Sequence, residues 1–189
     1  MARTRTFLAV DIGDAIRRRA VALQGELAAT GADVKWVAAN GMHITLLFLG
    51  ELDDRDLAQV CRVTAKAAAR VEGFSLTLAG VGAFPNLHRP KVLWAGATEG
   101  AEPLTALFQA IEEPLAEAGI YRKEDRPYVP HLTLGRVTDE AGSASIAAEI
   151  GKYRDWLGGT VTVEQVLVMA SELRRSGPEY TVVGRAALS

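Results

Sequence analysis

The sequence predicts a chain of strands and helices folded as two similar lobes that face each other across a pseudo-twofold axis. Three observations lead there. The order strand, helix, strand, helix, strand occurs twice. The middle strand of each copy carries a His-x-Thr motif, His43-Ile44-Thr45-Leu46 in the first and His131-Leu132-Thr133-Leu134 in the second. The spacing between copies is nearly constant: Phe7 to Val92 is 85 positions, His43 to His131 is 88 and Phe74 to Val161 is 87. A shift near half of the 189-residue length points to an internal duplication. Strand-helix order can repeat by chance in any mixed chain, but matching tetrapeptides set that explanation aside.

The elements follow in order. Phe7 to Val10 is a compact apolar run closed by Asp11 and Gly13, a strand and its turn. Asp14 is placed to cap a helix that runs to about Ala29, with Ile16, Ala20, Leu23 and Leu27 on one face. Met42 to Leu49 reads as a strand. Asp53 or Asp54 caps a second helix with Leu57, Val60, Cys61, Thr64 and Ala68 as its buried stripe. Phe74 to Phe84 is a strand, alternating at first and ended by Pro85. After a loop from Asn86 to Lys91 comes a strand from Val92 to Ala95. A helix follows from Glu102 to Ala118, with Leu104, Leu107, Phe108, Ile111 and Leu115 on one face and Pro114 expected to kink it. His131 to Val137 is a strand, Ser143 to Trp156 a helix interrupted at Gly151, Val161 to Ala170 a strand, and Tyr180 to Ala187 the last one. The expectation is one bilobal domain over 1–189, with repeats at roughly 5–84 and 91–171 and a final strand at 179–187.

Composition narrows the function. Hydrophobic residues make up 49% and charged residues 23%, ordinary globular usage. The net charge of −2 supplies no overall basic field for long nucleic acid, which favours a small or terminal phosphate as ligand. Cys61 is the only cysteine, so no intrachain disulfide and no thiolate metal cage can form, and a reducing cytoplasm is expected. The apolar run after Arg3 and Arg5 is broken at Asp11, too soon for a signal peptide or a membrane span. No membrane association is expected.

The chemistry sits in the histidines. Side chains alternate across a strand, so each His and its Thr project from one face while Ile44, Leu46 and Phe48, or Leu132 and Leu134, anchor the other face in a core. A twofold axis brings both polar pairs together. Imidazole titrates near neutral pH, so one ring can act as base and the other as acid, and the Thr hydroxyls can hold phosphate oxygens. A metal site would need a third protein ligand, and neither histidine has one at helical spacing, so no metal is expected. His88, in the turn-rich Pro85-Asn86-Leu87-His88-Arg89-Pro90, reads as solvent-exposed.

These residues carry a resemblance. The chain resembles the two-histidine phosphoesterases, and most closely the bacterial and archaeal RNA 2′,3′-cyclic phosphodiesterases, also called 2′-5′ RNA ligases. The likeness runs through Arg5-Thr6-Phe7-Leu8-Ala9-Val10, Trp36, Met42 to Gly50, Pro90 to Gly96, Tyr128 to Arg136, Val166 to Ser171 and Tyr180. It implies a bilobal α+β fold with mostly antiparallel sheets around a central cleft. It implies metal-independent, cofactor-free hydrolysis of a terminal 2′,3′-cyclic phosphate to a 2′-phosphate, with 2′-5′ ligation as a reversible side activity. The implied catalytic pair is His43 as acid and His131 as base, with Thr45, Thr133 and Arg136 on the phosphate. Strict alternation puts Arg136 on the wrong face for that role, so the role requires a bulge or a strand end. Tyr128 and Phe48 are candidates to stack a base, although Phe48 shares its face with Ile44 and Leu46 and reads as core; Trp36 and Trp94 are assigned to packing. The expected partner is RNA with a cyclic phosphate end, or a cyclic nucleotide, and a monomer is expected. A related phosphoesterase on another cyclic nucleotide or RNA end, or a non-catalytic RNA-end binder, would share these residues.

Overall fold

The computed structural model describes residues 3–174 and 177–189, with the side chains of 140–142 outside the description. Strand β1 (Thr4–Val10) leads to helix α1 (Gly13–Ala28), the short strand β2 (Val34–Trp36) and, after a 3-10 turn over Ala39–Gly41, strand β3 (Ile44–Leu52). Helix α2 (Asp54–Ala68) and strand β4 (Phe74–Phe84) close the first half. The second half runs β5 (Val92–Ala97), α3 (Ala101–Glu117), β6 (His131–Val137), α4 (Glu140–Ile150), a 3-10 turn at Gly151–Tyr153, β7 (Leu157–Val163), β8 (Gln165–Arg174) and β9 (Gly177–Ala187).

The strands lie in the order β7-β4-β5-β6-β3-β1-β8-β9, with β2 added to β6, and every pairing among the described residues is antiparallel. Four strands of that path stand on each side of the β6–β3 boundary, with β2 a ninth strand on β6, and β3 meets β6 at a single paired position, Ile44 opposite Leu132. The helices cover one face. Ile16, Ala20, Leu23 and Leu27 of α1, Val60 and Ala68 of α2, and Leu104, Leu107, Ile111 and Leu115 of α3 join Leu8, Val10, Ile44 and Leu132 in one apolar core. The alternation expected of the His-x-Thr strands is therefore present. Ile44, Leu46, Leu132 and Leu134 are buried, while His43, Thr45, His131 and Thr133 are only partly so.

Several local expectations are corrected. Asp14 does not cap α1; it pairs with Arg17 at 2.7 Å, and Asp11 pairs with the same guanidinium at 2.7 Å. Two carboxylates on one cation outcompete a cap, and the helix opens at Gly13, whose φ of 68° suits a residue without Cβ. Asp53, not Asp54, caps α2 by accepting from the Asp56 N–H at 2.9 Å, a contact worth about 1 kcal/mol. Helix α3, by contrast, runs from Ala101 through Pro114 to Glu117, close to the expected Glu102 to Ala118. The expected strand from Val161 to Ala170 is two strands that part at Glu164, because Val161 pairs with Leu76 of β4 while Leu167 pairs with Ala9 of β1.

Candidate active site

Each histidine sits where its strand begins, and both are held in the same way. The His131 Nδ1 lies 2.6 Å from the Val129 carbonyl, two residues upstream, so Nδ1 carries the hydrogen and a neutral ring keeps its Nε2 lone pair free. His43 likewise hydrogen-bonds the Gly41 backbone, two residues upstream. Because Ile44 pairs with Leu132, carrying the register one residue either way sets His43 opposite Thr133 and His131 opposite Thr45. The four polar side chains thus share the face turned away from the helices. Neither threonine hydroxyl has a hydrogen-bond partner among the described residues, so both remain available to a ligand.

Aromatic rings wall both histidines. His43 stacks on Phe7 with centroids 4.8 Å apart and meets the edge of Tyr180 at 5.3 Å. His131 meets Phe84 edge-on at 5.0 Å and stands 6.4 Å from Trp94. Phe7 belongs to a small second apolar cluster with Ala9, Leu167 and Met169, on the histidine face of β1 and β8. Burial penalises the charged ring in both places. It pushes His43 down to about 4, against opposing contributions from the Gly41 backbone and the Asp11 carboxylate. His131 is also lowered, first by burial and further by the Arg136 cation, against the Val129 hydrogen bond. Fixed charge near the two rings therefore has opposite sign. Asp11 favours a proton on His43, and Arg136 disfavours one on His131.

Two bulges decide what else reaches this face. Between β1 and β3, Ala9 faces Thr45 but Leu8 faces Leu47, which inserts one extra residue after Thr45. Between β5 and β6, Trp94 faces Thr133 but Leu93 faces Gly135, the same insertion after Thr133. Leu46 and Leu47 are both buried, as are Leu134 and Gly135, and the next residue turns back to the histidine face. That residue is Phe48 in one strand and Arg136 in the other, each five positions after its histidine. Arg136 is accordingly exposed and close enough to His131 to lower its pKa. Phe48 is not core, as alternation alone had placed it. It is 58% exposed with its ring 5.8 Å from Phe7.

The other singled-out aromatics pack. Tyr128 lays its ring parallel on Phe108 at 4.4 Å and donates its hydroxyl to the Thr45 carbonyl at 3.1 Å, which ties β3 to the segment before β6. Burial raises its pKa, so it remains a donor. Tyr128 is thus half-buried and held by packing and a hydrogen bond, and Phe48 is the more exposed ring. Trp36 closes over Gly135, where a Cβ would come within 2.8 Å of its ring. Trp94 lies flat over Gly82, where a Cβ would come within 2.3 Å. The Trp94 ring also borders a hollow of about 470 Å³ lined by Val81, Ala83, Asn86, Leu87 and the exposed His88. Among the described residues no three His, Cys, Asp or Glu side chains gather as a metal site, and no helix is long and apolar enough to cross a membrane.

Phe7, Phe84 and Tyr180 were not singled out from the sequence as site residues, since their contacts with the histidines span tens of residues. Phe48 had a local signal. The double apolar step Leu46-Leu47 breaks strict alternation immediately before it.

A family model described as the 2′-5′ RNA ligase superfamily matches residues 13–175, most of the chain and both histidine strands. The chain belongs to that superfamily. Its similarity to an RNA 2′,3′-cyclic phosphodiesterase of Methanothermobacter thermautotrophicus is 32% identity over 179 residues, covering 95% of this chain and 96% of the relative. A protein of the same name from Archaeoglobus fulgidus is 35% identical over 176 residues, covering 93% and 96%. Among solved structures, Escherichia coli LigT in its apo form superposes with a TM-score of 0.80 at 26% identity, covering 100% of this chain and 99% of LigT. The superfamily's two-histidine α+β fold is thus the fold of this chain.

Proposed function

We propose that this chain hydrolyses RNA 2′,3′-cyclic phosphate ends to 2′-phosphates by acid-base catalysis between His43 and His131, without a metal. One observation carries the reading. Two imidazoles, each tethered to the backbone two residues upstream, share a face with two unengaged threonine hydroxyls and an exposed arginine. The relatives' names support the same reaction.

In the step, a water oxygen attacks phosphorus and the P–O3′ bond breaks. His131 takes the water proton, and His43 gives its proton to the departing O3′. This order follows the family resemblance; burial depresses both rings, His43 to about 4, and the smaller contributions of Asp11 and Arg136 do not reverse it. Thr45, Thr133 and Arg136 hold the non-bridging oxygens as charge builds on them. If an RNA 5′-hydroxyl replaces water, the product is a 2′-5′ linkage, and the same site cuts it in reverse. The unit that acts is one bilobal monomer in which the repeats exchange strands: β4 of the first lies beside β5 of the second, and β8 of the second lies beside β1 of the first. A reducing cytoplasm suits its lone thiol, Cys61.

The test is product analysis with 2′,3′-cyclic AMP in the presence of a chelator. The expected product is 2′-AMP, and His43→Ala and His131→Ala should each lower kcat by about 10²-fold to 10⁴-fold. Intact substrate, or chiefly 3′-AMP, refutes the reading.

A further inference from the structure

The bulge that turns Arg136 onto the histidine face also gives it a cationic neighbour that the reaction above does not use. Strand β2 pairs only with β6, and Lys35 stands directly opposite Arg136. Directly opposed residues of an antiparallel pair project from one face with Cβ atoms about 5 Å apart. Val34 and Trp36, on either side of Lys35, are turned the other way: a Cβ on the buried Gly135 would meet both of them. Lys35 and Arg136 therefore stand together, exposed, on the face that holds His131 and Thr133.

Neither cation has a carboxylate within 4 Å among the described residues. Asp33, two residues before Lys35, is the carboxylate nearest in register and makes no ion pair with either. The loop that enters β5 adds exposed Arg89 and Lys91, and the Lys91 carbonyl accepts from the Val137 N–H at 3.0 Å, which places that loop end beside the end of β6. In a chain of net charge −2, unpaired cations side by side at one edge of the site are a local exception. A single terminal phosphate held by Arg136 leaves Lys35 with nothing to bind.

We propose that Lys35 is a second phosphate site, which takes the phosphodiester one nucleotide upstream of the cyclic end. The substrate it selects is single-stranded RNA longer than one nucleotide, entering along the β2 edge towards the Arg89–Lys91 loop. This inference rests on the phosphodiesterase reading and adds a length preference to it. Lys35 does not touch the reacting atoms, so its removal leaves hydrolysis of a cyclic mononucleotide intact.

The experiment compares 2′,3′-cyclic AMP with a trinucleotide ending in a 2′,3′-cyclic phosphate, for the wild type, Lys35→Gln and Lys35→Glu. The expected result is a KM for the trinucleotide raised roughly fivefold to tenfold by Lys35→Gln and more by Lys35→Glu, with kcat and the mononucleotide constants unchanged. The logarithm of trinucleotide kcat/KM should also fall less steeply with the logarithm of salt concentration in Lys35→Gln, by roughly 0.7 for the single-strand phosphate lost. Equal effects on both substrates, or none on either, overturn the proposal. If the wild type hydrolyses neither substrate, the phosphodiesterase reading fails, and binding of the trinucleotide by fluorescence anisotropy decides about Lys35. Affinity weakened in Lys35→Gln supports the second phosphate site, and unchanged affinity overturns it.

Discussion

Protonating His43 should destabilise the fold, and the size of the effect follows from where the ring lies. Stacked on Phe7 and edged by Tyr180, the imidazole is pushed from 6.5 to about 4. In the unfolded chain it returns to about 6.5. A folded pKa below the unfolded one means that the unfolded state binds the proton more readily. The stability contributed by the neutral ring is then fully present above about pH 6.5, is lost as pH falls, and is gone below about pH 4. At pH 5 the unfolded ring is almost wholly protonated and the folded one about one-tenth, which costs about 2 kcal/mol; the full loss below pH 4 is about 3 kcal/mol. Urea unfolding followed by tryptophan fluorescence, for the wild type and His43→Gln at about pH 7.5, 6 and 5, isolates this contribution, since other titrations cancel in the difference. The wild type should lose about 2 kcal/mol relative to His43→Gln between the highest and lowest pH. A difference that stays constant within about 0.5 kcal/mol would show that the aromatic wall does not desolvate the ring, and the electrostatic argument about the site would fall with it.

Three other outcomes are expected. Both histidines titrate below 6.5, and the fraction of enzyme with one ring protonated and the other free peaks between their two values. The kcat/KM for a cyclic nucleotide should therefore peak on the acid side of pH 6.5, and a maximum at or above about pH 7.5 contradicts the burial of the pair. Gly82→Val should destabilise the protein by about 1–3 kcal/mol in chemical denaturation, because its Cβ meets the Trp94 ring at 2.3 Å and the ring must leave the wall it forms near His131. A loss under about 0.5 kcal/mol would show that Trp94 has room to move. Tyr128→Phe removes the hydroxyl that donates to the Thr45 carbonyl and should cost about 1 kcal/mol of stability. Its turnover should fall further than its substrate affinity if Thr45 acts on charge that develops only in the transition state.

Much of this arrangement is legible in the sequence because its signals are local. Period-2 alternation in His43-Ile44-Thr45-Leu46 and His131-Leu132-Thr133-Leu134 assigns each residue to a face without knowledge of the partner strand. The amphipathic stripes of α1 and α3 likewise identify Leu23, Leu27, Leu107 and Ile111 as core. Where the partner decides, the sequence is silent. Val34-Lys35-Trp36 is too short to announce a strand and becomes one only because Gly135, Arg136 and Val137 lie beside it. Glu164 divides an apolar run with no Gly or Pro to mark the turn; what divides it is that β7 pairs with β4 while β8 inserts between β1 and β9, on the other side of the β6–β3 boundary. The bulges are the deepest case. Phe48 was assigned to the core, and Arg136 was set on the wrong face unless a bulge intervened. One extra residue after each threonine, visible only against β1 and β5, moves both to the histidine face.

The single rung between Ile44 and Leu132 has a mechanical consequence. With one backbone rung between β3 and β6, side chains do most of the joining: the shared apolar core of α1, α2 and α3, the Gln24 amide that donates to the Val37 and Leu134 carbonyls at 2.8 Å, and the Tyr128 hydroxyl on the Thr45 carbonyl. The spacing between His43 and His131 is therefore a property of packing across the boundary as much as of the ladder, and a substitution at Gln24 or Tyr128 reaches both rings without touching either.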